Sequence, residues 1–496
     1  MNKRGHPSHA LMPMINILRH FSKMSTFTEG TRRMAVPYEV SKYIISQPLD
    51  EHSMLVYSTL TSSLVVLEND LYSAYFENAS FEDESMCLQL EEMGFLADLR
   101  QPSQLSQLMD IRKSVVETDG ITSITIAPTM ECNARCYYCF ERGARRGTMS
   151  FETADALVDF LDRNCPSKEL YIAWFGGEPL LATDVIDRIV DGLLEREILV
   201  ESTITTNGIL INEGLLQKFK KWNVSRVQIS LDGIGDAYGK VKRFEDIEGN
   251  PFELIVGIIS MLLDSGTSVH IRLNYKSTEE GGVKEAFDYF HGRFGGYENL
   301  YLYGAPLDLP EIKGYSEFDH EEGDIFHDVL RMSLDHGYEN DELNYRDGVN
   351  ISEDYNVALG ELMLSPFPAS CLMADRWRLV VDDQGILYKC QKHLGKPEYS
   401  CGDVFGGLEE NAYFKYYAAS ELHDESCADC PILPICQGGC NANRLLYGDK
   451  YACPPSKTVM KKLVMDYYML LSGGDRDGKD MAIEEQLEGG QNENHL

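Results

Sequence analysis

The sequence predicts an α/β chain in three parts. A partial, TIM-like (β/α)6 barrel sits between a small N-terminal module of winged-helix-like outline and a cysteine-rich C-terminal domain. Three observations lead there. Apolar strand patterns alternate with amphipathic helical patterns from Thr122 to about residue 310. Residues 36–118 carry short strands and helices of their own, and cysteines crowd into Cys132–Cys139 and Cys371–Cys453. Strict alternation predicts a parallel sheet with helices outside. Six strand–helix units are too few for the closed eight-stranded form, so the barrel is expected to be open.

Composition narrows the function classes. At 496 residues the chain has room for two or three domains, and 43% hydrophobic residues suffice for a large core. A formal net charge of −34 argues against nucleic-acid or anionic-membrane partners, which select a basic face. Its plainest meaning is solubility. No apolar run reaches the length of a bilayer span, and the N-terminus lacks a signal-peptide core with a cleavage site. The expected location is cytoplasmic, where thiols stay reduced. Thirteen cysteines there read first as metal or cluster ligands.

In chain order, residues 1–35 read as a flexible tail, with Met24 and Met34 as alternative starts. Residues 36–118 follow. Ser53–Ser58 and Ser62–Leu67 read as paired strands, and Leu71–Glu77 and Ser85–Leu96 as helices. The core, 119–310, offers six strands: Ser123–Ala127, Leu170–Trp174, Ser202–Thr206, Arg226–Leu231, Val269–Asn274 and Leu300–Tyr303. Helices Phe151–Asn164, Asp184–Glu197, Glu213–Lys221 and Phe252–Ser265 lie between them. An acidic helical bridge is expected over 311–370, the cysteine-rich domain over 371–472, and a disordered acidic tail over 473–496. In open α/β sheets ligands sit at the C-terminal strand ends.

The motifs fall at those ends. After the first strand comes Cys132-Asn-Ala-Arg-Cys136-Tyr-Tyr-Cys139, three thiols in eight residues. A cubane cluster has four irons, so three thiolates leave one iron open. A zinc knuckle would want a fourth ligand close by, and none is evident. After the second strand comes Trp174-Phe-Gly176-Gly177-Glu178-Pro179, where glycines permit close backbone approach and a carboxylate can accept from an ammonium group. Thr205-Thr206-Asn207-Gly208 and Ser230-Leu231-Asp232-Gly233 close the next two strands with hydroxyl-binding residues, which also make ordinary turns.

This ordered set resembles the radical S-adenosylmethionine (SAM) superfamily. The cysteine spacing matches its signature, including the aromatic Tyr138, and Gly176-Gly177-Glu178-Pro179 resembles its GGEP motif. The resemblance implies a SAM-binding [4Fe–4S] cluster on Cys132, Cys136 and Cys139. It also implies SAM contacts from Tyr138, Gly176, Gly177, Glu178, Thr206, Asn207, Ser230 and Asp232. Arg272 is a further candidate for a carboxylate partner, with a strand-end salt bridge as the alternative. Many relatives place His-Asp after the Asp-Gly pair; here the stretch is Gly235-Asp236-Ala237-Tyr238. The implied chemistry is reductive cleavage of SAM to a 5′-deoxyadenosyl radical, fed by an external one-electron donor of flavodoxin or ferredoxin type.

The C-terminal array reads Cys371-x13-Gly385-x4-Cys390, then Cys427-x2-Cys430-x5-Cys436-x3-Cys440, then Cys453. It resembles the seven-cysteine SPASM domain and implies two auxiliary [4Fe–4S] clusters, three clusters in all. Cys427, Cys430, Cys436 and Cys453 would hold the distal one. Cys371, Cys390 and Cys440 would hold the other, one ligand short, with Cys401 either completing it or packing as a small core residue. Paired zinc sites are the physical alternative for the array. Cys87 and Cys165 read as core.

The N-terminal module resembles the leader-peptide recognition element of peptide-modifying radical SAM enzymes, which adds a peptide at a sheet edge. Together the resemblances imply a maturase that installs a thioether or another side-chain cross-link in a ribosomal precursor peptide. An anaerobic sulfatase-maturing enzyme is the alternative. Such enzymes usually carry Asp after the cysteine equivalent to Cys390, where this chain has Gln391, and lack the N-terminal extension. A non-catalytic Fe–S or zinc peptide-binding scaffold is the reading from another class.

Overall fold

The computed structural model describes residues 19–21, 38–116, 119–245, 247–276, 280–307, 320–335, 371–419 and 421–472. The expected acidic tail, and all but 320–335 of the expected bridge, lie outside these residues. So does most of the expected N-terminal tail, but Arg19–Phe21 within it forms a strand (β1).

Period-two alternation sets the N-terminal module. Its other strands are β2 (Tyr38–Val40), β3 (Ile44–Pro48), β4 (Ser53–Ser58), β5 (Leu64–Glu68) and β6 (Leu96–Asp98). β3, β4 and β5 form an antiparallel meander, and β1 lies parallel to β5. Successive side chains of a strand point to opposite faces. Accordingly Val56, Val65 and Leu67 pack against Cys87, Leu90 and Phe95. Leu55, Tyr57, Leu64 and Val66 face the other way, onto Val459, Leu463 and Tyr467 of the helix Ser456–Leu471. Sequence patterning misses β1, β2 and β3, and it misplaces one helix end. The helix expected over Ser85–Leu96 runs only Glu84–Glu92. Gly94 takes a left-handed backbone (φ 77°) that ends it, and Leu96–Asp98 pairs with β2 instead.

The barrel strands are β7 (Ser123–Ile126), β8 (Glu169–Trp174), β9 (Leu199–Thr206), β10 (Val224–Leu231), β11 (Ser268–Tyr275) and β12 (Leu300–Pro306). All six expected strands are present, parallel and in sequential order. Ser150, Asn212 and Asn250 cap the helices that follow them, each side chain accepting a first-turn N–H. Ile124, Ile126, Ile172, Trp174, Val227 and Ile229 are fully buried beneath the helices.

The opposite face of the same strands is polar. Arg226 Nη2 donates to Tyr171 Oη at 3.1 Å, Tyr171 Oη to Thr203 Oγ1 at 3.1 Å, and Tyr303 Oη to Gln228 Oε1 at 2.8 Å. A core that needed only apolar packing would not place these groups here. The barrel interior is shaped for polar contacts.

The sheet does not stop at six strands. β13 (Leu379–Val381) pairs parallel with β7 at its free edge, and β14 (Leu387–Tyr388) turns back antiparallel on β13. The C-terminal domain is thus part of the central sheet. It also contains a two-stranded ribbon, β15 (Gly402–Asp403) with β16 (Gly407–Leu408). Among the described residues no helix is long and apolar enough to cross a membrane.

Candidate active site and metal centres

The loop from Thr129 to Cys139 leaves the C-terminal end of β7 and is held from two sides. On one side runs the Gly-Gly-Glu-Pro segment after β8. Gly177 N donates to Thr129 O at 3.1 Å and Glu178 N to Glu131 O at 2.8 Å. A Cβ on Gly177 would lie 2.2 Å from Glu131 O, and one on Gly176 2.5 Å from Thr129 O. Only glycines let the two segments lie this close.

Glu178 is fully buried. Its Oε1 accepts from Thr206 Oγ1 at 2.7 Å and Leu180 N at 3.1 Å, and its Oε2 from Asn207 N at 2.8 Å. Burial raises its carboxyl pKa, against the pull of these three donors. Asn207 Nδ2 reaches on to Asn133 Oδ1 at 2.7 Å, within the cysteine loop. One carboxylate therefore ties the ends of β8 and β9 together, and through Asn207 to the thiols.

On the other side is a buried ion pair. Lys242 Nζ lies 2.9 Å from Asp232 Oδ2 and donates to Tyr138 Oη at 3.3 Å. Asn274 Nδ2 donates to both Tyr138 Oη and Asp232 Oδ1 at 3.1 Å. Arg135 N donates to Lys242 O at 2.8 Å, and Arg135 Nη2 bonds Glu245 Oε2 at 2.6 Å. Burial pushes the Cys132 thiol up to about 11 and that of Cys139 to about 12. Each thiol feels the charge of its neighbours, so the three stand together at the end of the sheet.

The structure divides the sequence-derived SAM residues. Glu178, Thr206, Asn207 and Asp232 are engaged by protein partners. Ser230 is partly exposed and stands in register with Arg272 across β10 and β11. Arg272 Nε is buried without a hydrogen-bond partner, so this guanidinium has capacity left for an anion.

Three residues here escaped sequence reading. Lys242 hides in the basic stretch Lys240-Val-Lys-Arg243. Asn274, two residues beyond Arg272 and on the same face, was legible from strand period alone. Glu141, just past Cys139, is half-buried, but its Oε1 is buried without a hydrogen-bond partner, and desolvation raises the carboxyl to about 7.

The C-terminal cysteines gather into two groups. Cys390 feels Cys371 and Cys440. Lys389, fully buried, donates through Nζ to the carbonyls of Asp375 (2.5 Å), Arg376 (3.3 Å) and Arg378 (2.9 Å), drawing the segment after Cys371 onto Cys390. Cys401 is not among them. It is fully buried in the barrel core, its Sγ–H donates to Leu387 O at 3.3 Å, and its charged neighbours are Lys389 and Glu409. Cys87 and Cys165 are fully buried.

The second group surrounds a cavity of about 190 Å3, lined by Cys427, Cys430, Cys436 and Cys453 with Arg444 and Lys457. Cys440 N donates to Ala452 O at 2.8 Å, which brings the residue before Cys453 back onto the Cys436–Cys440 segment. All thirteen cysteines are free, and among the described residues no three His, Cys, Asp or Glu side chains close tightly enough to hold a single ion. Thiols spaced around a cavity fit a polynuclear cluster.

Cysteines on the strand-end loop, the Gly-Gly-Glu brace and a polar barrel interior define a radical SAM domain, and residues 126–289 match the Radical SAM superfamily model. The matched domain is an enzyme domain, and its family implies SAM and one [4Fe–4S] cluster as its cofactors. The chain is 21% identical over 478 residues to the radical SAM cyclopropyl synthase TigE of Paramaledivibacter caminithermalis, covering 86% of this chain and 95% of TigE. It is 25% identical over 345 residues to a cysteine-type anaerobic sulfatase-maturating enzyme of Clostridium novyi, covering 65% of this chain and 88% of that one. Among solved structures it shares the fold of native anSMEcpe with bound AdoMet and Cp18Cys peptide, at TM-score 0.54 and 19% identity, over 71% of this chain and 98% of that one.

Proposed function

We propose that this protein is a radical SAM maturase that installs a side-chain cross-link, a thioether or a carbon–carbon bond, in a ribosomally made precursor peptide. The observation that carries the reading is the extent of the likeness to TigE. It takes in nearly all of both chains, whereas the sulfatase-maturating relative leaves about a third of this chain unmatched.

In this reading residues 36–118 bind the precursor, 119–310 form the radical SAM core and 371–472 hold two auxiliary clusters. Cys132, Cys136 and Cys139 hold the SAM-binding cluster. Cys371, Cys390 and Cys440 hold one auxiliary cluster, and Cys427, Cys430, Cys436 and Cys453 the distal one. A cluster on Cys132, Cys136 and Cys139 would supply one-electron reduction, and SAM beside it the hydrogen-abstracting chemistry that an unactivated carbon demands.

The protein's own part is orientation. The Glu178–Thr206–Asn207 brace fixes the loop, the Lys242–Asp232 pair fixes Tyr138, and the unpartnered Arg272 Nε receives the SAM carboxylate. The polar face of the sheet takes the substrate side chain. Anaerobic reconstitution with iron counting, followed by mass spectrometry of a co-expressed precursor, tests this. Iron for three cubanes and loss of two hydrogens per cross-link are expected. Iron for one cubane, or a product with a Cys or Ser converted to formylglycine, would overturn it.

A further inference from the structure

Besides packing on the helix Ser456–Leu471, the N-terminal module touches the loop that carries the distal cysteines. Tyr43 Oη donates to Ala428 O at 3.1 Å, and Thr59 Oγ1 to Pro431 O at 2.6 Å. Lys42 pairs with Asp429. Tyr43 and Leu108 pack on Leu433, with Cys427 against them, while Cys430 and Cys436 pack against the cluster that the sheet residues Leu55, Tyr57 and Leu64 form with Ile432 and the helix Ser456–Leu471. Three of the four distal cysteines therefore sit in the interface with this module.

One contact is of a different kind. Arg112, on the helix Gln104–Val116, is 1% exposed. Its Nη1 donates to Gln437 O at 3.1 Å and stands 3.9 Å from the Cβ position of Gly438, over the turn that follows Cys436. Its Nε has no hydrogen-bond partner, and among the described residues no carboxylate pairs with it. Arg112 stands behind the Cys436–Gly438 turn, which lines the four-cysteine cavity, whereas Arg444, in the lining itself, is paired with Asp449. A buried guanidinium without a counter-charge is costly, by about 3–5 kcal/mol where a partner has been removed. The missing anion is what the adjacent cradle would hold, because four thiolates around a cubane leave a net charge of about −2.

We propose that Arg112 is a positioning residue of the distal metal site, contributed by the N-terminal module, so that filling the four-cysteine cradle locks this module onto the C-terminal domain. The inference rests on the reading of Cys427, Cys430, Cys436 and Cys453 as cluster ligands. Coupling of this kind is reciprocal: whatever steadies the cluster steadies the module, and undocking the module loosens the cluster. If the module binds the precursor peptide, peptide binding and the distal site are linked through the same side chain.

The test uses the full-length, anaerobically reconstituted protein. Arg112→Gln should shift the midpoint potential of one auxiliary cluster to more negative values, read by EPR-monitored titration, with the iron count unchanged. Amide exchange over residues 42–60 should quicken by roughly 10- to 100-fold, the loss expected for a charged hydrogen bond. Arg112→Lys, which keeps the charge, should restore the potential more than the exchange protection. As a second route, Cys430→Ser should speed exchange over the same residues while leaving that of the barrel strands unchanged. Unchanged potentials and exchange in Arg112→Gln, with three cubanes present, would overturn this proposal alone. Iron for only one cubane in the wild-type protein would overturn it together with the reading beneath it.

Discussion

Replacing Gly177 with alanine puts a methyl group where the backbone of the cysteine loop already runs. The new Cβ would stand 2.2 Å from Glu131 O, 2.6 Å from Glu131 C and 2.9 Å from Met130 C. All three are main-chain atoms, so no side chain can swing aside. Restoring ordinary contact requires the two segments to part by about 1 Å. Overpacking of this kind costs about 1–3 kcal/mol. Losing the bond from Glu178 N to Glu131 O at 2.8 Å would add about 1–3 kcal/mol. A destabilisation of about 2–6 kcal/mol is expected, or a displaced Cys132 where the fold survives. A shift of about 1 Å at a reacting centre lowers rate by roughly 100-fold. Urea unfolding, iron content after reconstitution and SAM affinity by equilibrium dialysis measure the three consequences. Gly257→Ala is the control. It lies within the helix Pro251–Asp264 with nothing within 4 Å of its Cβ position, and should gain up to about 1 kcal/mol. A Gly177→Ala protein with wild-type stability, full iron and unaltered SAM affinity would refute the reasoning.

Three further outcomes follow from the same geometry. Lys242→Met strands Asp232 in a buried site and should cost about 3–5 kcal/mol, whereas Lys242→Met with Asp232→Leu should recover much of it, as a double-mutant cycle in urea would report. Cys401→Ala should keep the full iron content and lose about 1–2 kcal/mol of stability, while Cys390→Ala should lose iron. His327 joins the helices His320–Asp335 and Ser456–Leu471 through Asp466, 2.8 Å from its Nε2. Burial alone would lower its pKa, but the carboxylates of Asp328 and Asp466 outweigh that and raise it. The folded value therefore lies above the unfolded one, and the stabilisation is complete below about pH 6.5 and lost as pH rises through the folded value. Thermal unfolding of wild type and His327→Gln should accordingly differ at pH 6 and converge at pH 9.

The barrel was legible because each strand serves two environments. Ile124, Ile172, Val227, Ile229 and Ile271 mark one face by period, and six such runs separated by amphipathic helices leave few alternatives. The cysteine loop was legible because a cluster demands several thiols within one turn of chain. Contacts that reach far along the chain were not. Arg112 meets Gln437, 325 residues away, and nothing in Asp110-Ile-Arg112-Lys marks that arginine. Lys242 and Asp232 are near in sequence, yet only folding shows that both are dry. The N-terminal miss at Leu96–Asp98 has a local cause: an apolar run after a helical pattern reads as more helix until the left-handed Gly94 breaks it.

The pairing of β13 with β7 has a consequence for how the chain is made. The edge of β7, next to the strand-end cysteine loop, is covered only when Leu379–Val381 arrives, some 250 residues after Ile126. At ordinary synthesis rates that interval is roughly 12–50 s. For that time the nascent chain presents an open strand edge beside three reduced thiols, the combination most exposed to wrong pairing and to oxidation. Early insertion of the first cluster, or a chaperone on that edge, would protect the chain until its own C-terminal hairpin closes the sheet.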